Sequence, residues 1–202
     1  MNDNGVRFLD LIFFILFQLS LGAVIHVSKS EIVDPTMWLI WYLCSICFIL
    51  LIAHRRRILR SWFKGRETVG DILWAMKMFP ILFLTVMAIS FIFPPERTEN
   101  LQLNLDAMTI LILVVIGPFG EELIFRGFLY EYMRQRLKKE TAIIFTSLIF
   151  ALFHPISSFP VVMTLAVMLN FLYEMRDNIM VPVVLHSLNN LVVLILYEIS
   201  RR

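Results

Sequence analysis

Apolar runs of about twenty residues recur along this chain, and they leave it few ways to fold. One of them, "DILWAMKMFPILFLTVMAISFIF" at residues 71–93, carries two charges in its first third and none after that. Inside a hydrocarbon core each backbone N–H and C=O must be satisfied within the protein, so a run of this kind crosses as a helix. A core about 30 Å thick takes roughly 20 residues at 1.5 Å each. On that criterion the sequence predicts helices from Arg7 to Val27, Met37 to Ala53, Ile72 to Phe93, Asp106 to Met133, Glu140 to His154, Pro160 to Met175 and Ile179 to Ser200. Pro94 and Pro95 stop the third. The fifth and sixth are short and are expected as buried members of the bundle. The expected class is all-α: a polytopic membrane helix bundle of about seven transmembrane helices with a membrane-embedded active site. It reads as one membrane domain, with non-diagnostic helices in residues 1–104 and the chemistry in 105–202.

Composition agrees. The 202 residues are 59% hydrophobic, far above a soluble domain. A net charge of +2 is too small to suggest nucleic acid as a partner. The basic residues fall in blocks, "HRRRILRSWFKGR" (His54 to Arg66) and "RQRLKK" (Arg134 to Lys139), which are expected on the cytoplasmic side. "SKSEIVDP" and "PPERTENLQLNLD" suit the outside. Alternation then puts the N-terminus in the cytoplasm. Arg201 and Arg202 fall outside, a mild violation that a broken or re-entrant last helix would remove. No small-residue cleavage site follows the first apolar stretch, so it is read as a retained span rather than a signal. Cys44 and Cys47 lie within an apolar run without further ligands and read as small apolar residues of one helix face. No internal repeat is visible.

Ionisable side chains within spanning helices are costly and point to function. Here they are Asp10, Lys77, Glu121, Glu122, Arg126, His154 and His186, with Asn170, Asn189 and Asn190 as uncharged company. Asp10 and Lys77 lie near helix ends and are expected to snorkel. Glu131 and Glu174, near cytoplasmic ends, are expected to face water. The others share a depth. Glu122 stands roughly 18 Å above Arg134, His154 roughly 22 Å above Lys139 and His186 roughly 13 Å above Asp177. Three helices carrying polar groups at similar depth is the pattern of one buried site.

Spacing gives each residue a chemistry. Glu122 and Arg126, four apart, share a face and are expected to pair. An unpaired buried charge would be very costly, so this pair is largely structural. Glu121 points about 100° away from Glu122 and has no cation on its own helix. A buried carboxylate so placed suits a general base acting on water. "FALFH" puts Phe150 and His154 on one face. "HSLNN" does the same for His186 and Asn190, which could both donate to a developing oxyanion. Gly117, Gly120 and Gly127 would permit close helix packing. Each feature also has a plain structural reading: a histidine as a packing residue, or "GPFGEE" as a helix start with acidic first-turn residues.

Together, "EELIFR", "FALFH" and "HSLNN" fit the patterns EExxxR, FxxxH and HxxxN. In this order they resemble the CAAX-prenyl-endopeptidase and bacteriocin-processing family of membrane proteins, also called the CPBP or Abi family. The resemblance runs from near Asp106 to Tyr197. It implies an all-helical bundle whose buried site cleaves peptides that reach the bilayer. By the family pattern Glu121 is the catalytic base and His154 helps it hold and activate the water. His186 and Asn190 form the oxyanion hole, and Glu122 and Arg126 support the site together with Phe150. The implied partners are a peptide or small membrane-protein substrate and the lipid bilayer, and the implied setting is a bacterial plasma membrane.

No cofactor is expected. Members have been labelled metalloproteases, but there is no HExxH here and the histidines come from separate helices, so zinc is kept as the lesser alternative. Where many relatives have glycine-rich packing before the last motif, this chain has "VMLNFLYEM" with Asn170. Nothing in the first three helices reads as a prenyl-cysteine pocket. Two other classes compete: a non-catalytic membrane scaffold or immunity protein, and a transporter or channel using Glu121 as a proton site. No inverted repeat favours the transporter. The rhomboid "GxSG" and presenilin "GxGD" motifs are absent.

Overall fold

The computed structural model describes residues 6–27, 35–63, 68–95 and 105–201, without the side chains of 20–27 and 201. Within these, the apolar runs fold as helices: α1 (Phe8–Val27), α2 (Pro35–Arg55) and α3 (Thr68–Ile92) in the first half. The second half holds α4 (Ala107–Arg134), α5 (Lys139–Leu152), α6 (Phe159–Arg176) and α7 (Met180–Arg201). No strand occurs among the described residues. Five stretches are long and apolar enough to cross a membrane: α2, α3, α4, α7 and Ile156–Arg176, which is α6 with the turn before it. The protein is an all-α polytopic membrane bundle. The acidic connections expected outside fall largely on 28–34 and 96–104, beyond the described residues.

Two expectations about the short helices need correction. The sixth is long enough to span, because the turn at Ile156–Ser158 extends it. The fifth has 14 residues and is short of a span, but it is not buried all round. Ala142, Ile143, Thr146, Ser147, Phe150 and Ala151 face the bundle, while Ile144 and Phe145 point outward. The 3.6-residue period leaves one side without neighbours.

α4 is the centre of the bundle, and its backbone is uneven. Asp106 caps it, accepting the Thr109 N–H at 2.7 Å, which holds the Asp106 carboxyl below its ordinary range. Residues 112–116 and 123–130 are wound as π-helix, with "GPFGEE" in α conformation between them. The Gly117 N–H therefore reaches back to the Ile112 carbonyl. Pro118 has no N–H to offer. The Leu113 carbonyl is left without a donor in its own helix, and Asn190 of α7 supplies one, its Nδ2 donating at 3.0 Å. The helix thus runs straight through "GPFG", and Glu121 and Glu122 are mid-helix groups rather than first-turn caps.

Glycine is required at 117 by this winding. A Cβ there would stand 2.9 Å from the Ile112 carbonyl oxygen and 3.4 Å from the Tyr42 ring. Gly117→Ala is expected to cost about 1–3 kcal/mol, the usual range for overpacking. Denaturant titration of the detergent-solubilised protein checks this; unchanged stability would mean that the π-turn relaxes freely. The close approach expected at Gly120 and Gly127 is made by aromatic rings. A Cβ on Gly120 would be 3.0 Å from Tyr42, and one on Gly127 would be 3.0 Å from Trp62. Trp62 Nε1 also donates to the Gly127 carbonyl at 2.8 Å.

Other polar residues find partners where the sequence suggested solvent. Asp10 is buried and held by Arg56 through Nε at 2.9 Å and Nη2 at 2.8 Å, so it does not snorkel. Glu131 is buried rather than facing water. Arg134 pairs with it at 2.7 Å and the Tyr173 hydroxyl donates to it at 3.0 Å, which offsets its desolvation. Arg134 and Lys139 also hold Glu174, at 3.0 and 2.9 Å. Lys77 is exposed on α3. Asn170 donates to Ser147 Oγ at 2.9 Å, tying α6 to α5.

Candidate active site

The two adjacent glutamates of α4 live in different surroundings. Glu122 has no exposed surface. Arg126, equally buried, meets its Oε2 at 3.0 Å and donates to its Oε1 at 3.1 Å. The same guanidinium donates from Nη2 to the Ala166 carbonyl of α6 at 3.0 Å, and its Cζ lies 4.9 Å from the Phe150 ring centre on α5. One arginine therefore joins α4, α5 and α6 around a neutralised carboxylate.

Glu121 points elsewhere, and its side chain keeps 21% of its surface exposed. The Tyr42 hydroxyl of α2 donates to its Oε1 at 2.6 Å. Its Oε2 lies 3.9 Å from His186 Nε2. His186 Nδ1 is 2.8 Å from Glu122 Oε1. That carboxylate is already paired with Arg126, so the Nδ1 proton sits on the histidine and is donated. His186 thus stands between the two glutamates, bonded to Glu122 through Nδ1 and with Nε2 near Glu121.

His154 lies just past the end of α5. Its Nδ1 is 2.9 Å from the Phe150 carbonyl. A carbonyl only accepts, so Nδ1 carries the proton, and Nε2 is the nitrogen that holds the lone pair in this tautomer. The His154 ring lies 4.8 Å from the Phe150 ring, which in turn lies 5.9 Å from that of His186. No hydrogen bond joins His154 to Glu121 among the described residues. Asn190 faces α4 one turn beyond His186, with Nδ2 on the Leu113 carbonyl.

So Glu121, Glu122, Arg126, Phe150 and His186 form one connected group. His154 stands beside it through Phe150, and Asn190 beside it through the α4 backbone. The residue that sequence reasoning missed is Tyr42. Its signal was a phenol in an apolar helix, since a buried tyrosine hydroxyl usually finds a partner.

The donor set fits a metal ion poorly. Among the described residues no three His, Cys, Asp or Glu side chains gather so as to hold one. Both histidines spend Nδ1 on other groups, and Glu122 is taken by Arg126.

The protein is thus a multi-pass helix bundle with a carboxylate–histidine group between its helices. The comparison with protein families agrees: the model described as Rce1-like, type II CAAX prenyl endopeptidase, matches residues 102–192. The resemblance to the CAAX prenyl endopeptidases therefore holds over a segment that includes all the motif residues named from the sequence. That family is one of proteases, and the match supports an intramembrane endopeptidase. No curated protein and no solved structure matches the chain.

Proposed function

We propose that this protein hydrolyses peptide bonds of membrane-associated peptides, using a water molecule activated by Glu121. The observation that carries this reading is the unequal treatment of the two glutamates. Glu122 is sealed by Arg126, whereas Glu121 keeps exposed surface and one oxygen, Oε2, that takes no hydrogen bond among the described residues and lies 3.9 Å from His186.

In this mechanism Glu121 takes a proton from water as the water oxygen attacks the scissile carbonyl carbon. His154 Nε2, the lone-pair nitrogen, accepts the second water hydrogen and orients the attack. The oxyanion receives the second N–H of the Asn190 amide. His186 Nε2 supplies the other donor, which requires a proton on both ring nitrogens because Nδ1 keeps its own for Glu122. Glu121 then passes its proton to the leaving amine, the C–N bond breaks, and a new carboxyl terminus and a new amine are released. No step passes through a metal. The substrate is a peptide that enters from the bilayer, and the roles that suit it are maturation of a bacteriocin-like peptide or self-immunity. The setting is a bacterial plasma membrane, with the N-terminus in the cytoplasm on the basic-loop rule.

The test is a digest of hydrophobic peptides by the purified protein in liposomes, read by mass spectrometry with and without chelator. Cleavage that persists in chelator is expected. Loss of cleavage in chelator with recovery on adding zinc would overturn the glutamate mechanism.

A further inference from the structure

We infer that Tyr42 is a positioning residue that orients the Glu121 carboxylate, holding one oxygen so that the other meets the water. The inference rests on Glu121 acting as the base proposed above.

Tyr42 lies on α2, outside residues 102–192, in the half of the chain that carries no motif. Its ring is confined. Trp41 packs edge-on at 5.0 Å between centres, and Trp38 lies at 6.2 Å. On the α4 side the ring sits against Gly117 and Gly120, where a Cβ would come within 3.4 and 3.0 Å of it. Two glycines thus make the shallow place on α4 into which the phenol fits. At its far end the hydroxyl donates to Glu121 Oε1 at 2.6 Å. A short bond of this kind between a phenol and a carboxylate is charge-assisted and directional.

The consequence concerns the carboxylate's orientation. The terminal torsion of a glutamate is broad and roughly two-fold, so an untethered carboxylate rotates. With Oε1 held by Tyr42, Oε2 is turned toward His186 Nε2, at 3.9 Å. Oε2 is then the oxygen left to take a proton. Small misplacements of a reacting group cost up to about a hundredfold in rate. The hydroxyl therefore acts on the chemical step, and substrate binding does not depend on it.

The experiment is Tyr42→Phe, which keeps the ring and its packing, assayed beside wild type and Glu121→Gln in the same liposomes. The expected result is kcat lowered about ten- to hundredfold with KM within about twofold of wild type, the split that loss of orientation alone produces. Unchanged kcat, or a change confined to KM, would overturn the inference. If Glu121→Gln cleaves at the wild-type rate, the base assignment itself fails and the role of Tyr42 with it. If Glu121→Gln is inactive while Tyr42→Phe is fully active, only the role of Tyr42 fails. Thermal unfolding separates lost orientation from lost structure. Should Tyr42→Phe not fold, replacing Tyr42 by 3-fluorotyrosine keeps the hydroxyl and the packing but alters its donor strength. In that protein kcat should change at least about twofold at constant KM, and an unaltered kcat would overturn the inference.

Discussion

Glu121→Gln should lower peptide cleavage by about 10² to 10⁴-fold and leave the fold intact, the range in which a positioned base contributes. Glutamine is nearly isosteric, and its amide oxygen can still accept the Tyr42 hydroxyl bond that glutamate accepts at 2.6 Å. What it cannot do is take a proton from water. The side chain is partly exposed, so the exchange strands no fully buried group. Initial rates on a cleaved peptide, beside melting curves, make the check. A variant that folds and keeps the full biological activity of the wild type would show that proteolysis is not the function and would favour the scaffold reading. Ion flux in proteoliposomes without cleavage would favour the transporter reading.

Arg126→Met should have the largest effect on stability, about 3–5 kcal/mol, the usual result of leaving a buried ion without its partner. Both Arg126 and Glu122 have no exposed surface, and the guanidinium also holds the Ala166 carbonyl at 3.0 Å. Methionine keeps the length of the side chain but abandons the Glu122 charge. The second variant, Glu122→Gln with Arg126→Met, removes both charges and retains an oxygen for the His186 Nδ1 proton, which Glu122 receives at 2.8 Å. The double variant should therefore be more stable than Arg126→Met alone. Denaturant unfolding of the wild type, both single variants and the double variant measures the coupling. If the double variant is no better than Arg126→Met, the arginine matters through Ala166 and Phe150 rather than through charge.

The helices were readable because bilayer thickness imposes a length on them. The pairing of Glu122 with Arg126 was readable because residues four apart share a face. The contacts that position Glu121 were not. Tyr42 is distant in sequence, and no spacing rule connects a phenol on one helix to a carboxylate on another. The π-wound stretches were hidden for another reason. They depend on where each backbone N–H goes, and "GPFG" suggested a break while the backbone makes a continuous helix. Asp10 and Glu131 were misjudged because depth alone suggested solvent. Their burial depends on Arg56, in the turn after α2, and on Tyr173 of α6.

The carbonyl left over at Leu113 has a mechanical consequence. Asn190 holds it, while one turn earlier His186 holds Glu122. These two contacts fasten α7 to α4 like a pair of dowels set apart along a joint. Sliding either helix along the other by a turn would shear both fastenings at once, leaving the Leu113 oxygen without its donor and the His186 Nδ1 proton without its acceptor. The α4–α7 pair is thus pinned at two levels, one through a backbone carbonyl and one through a buried side chain.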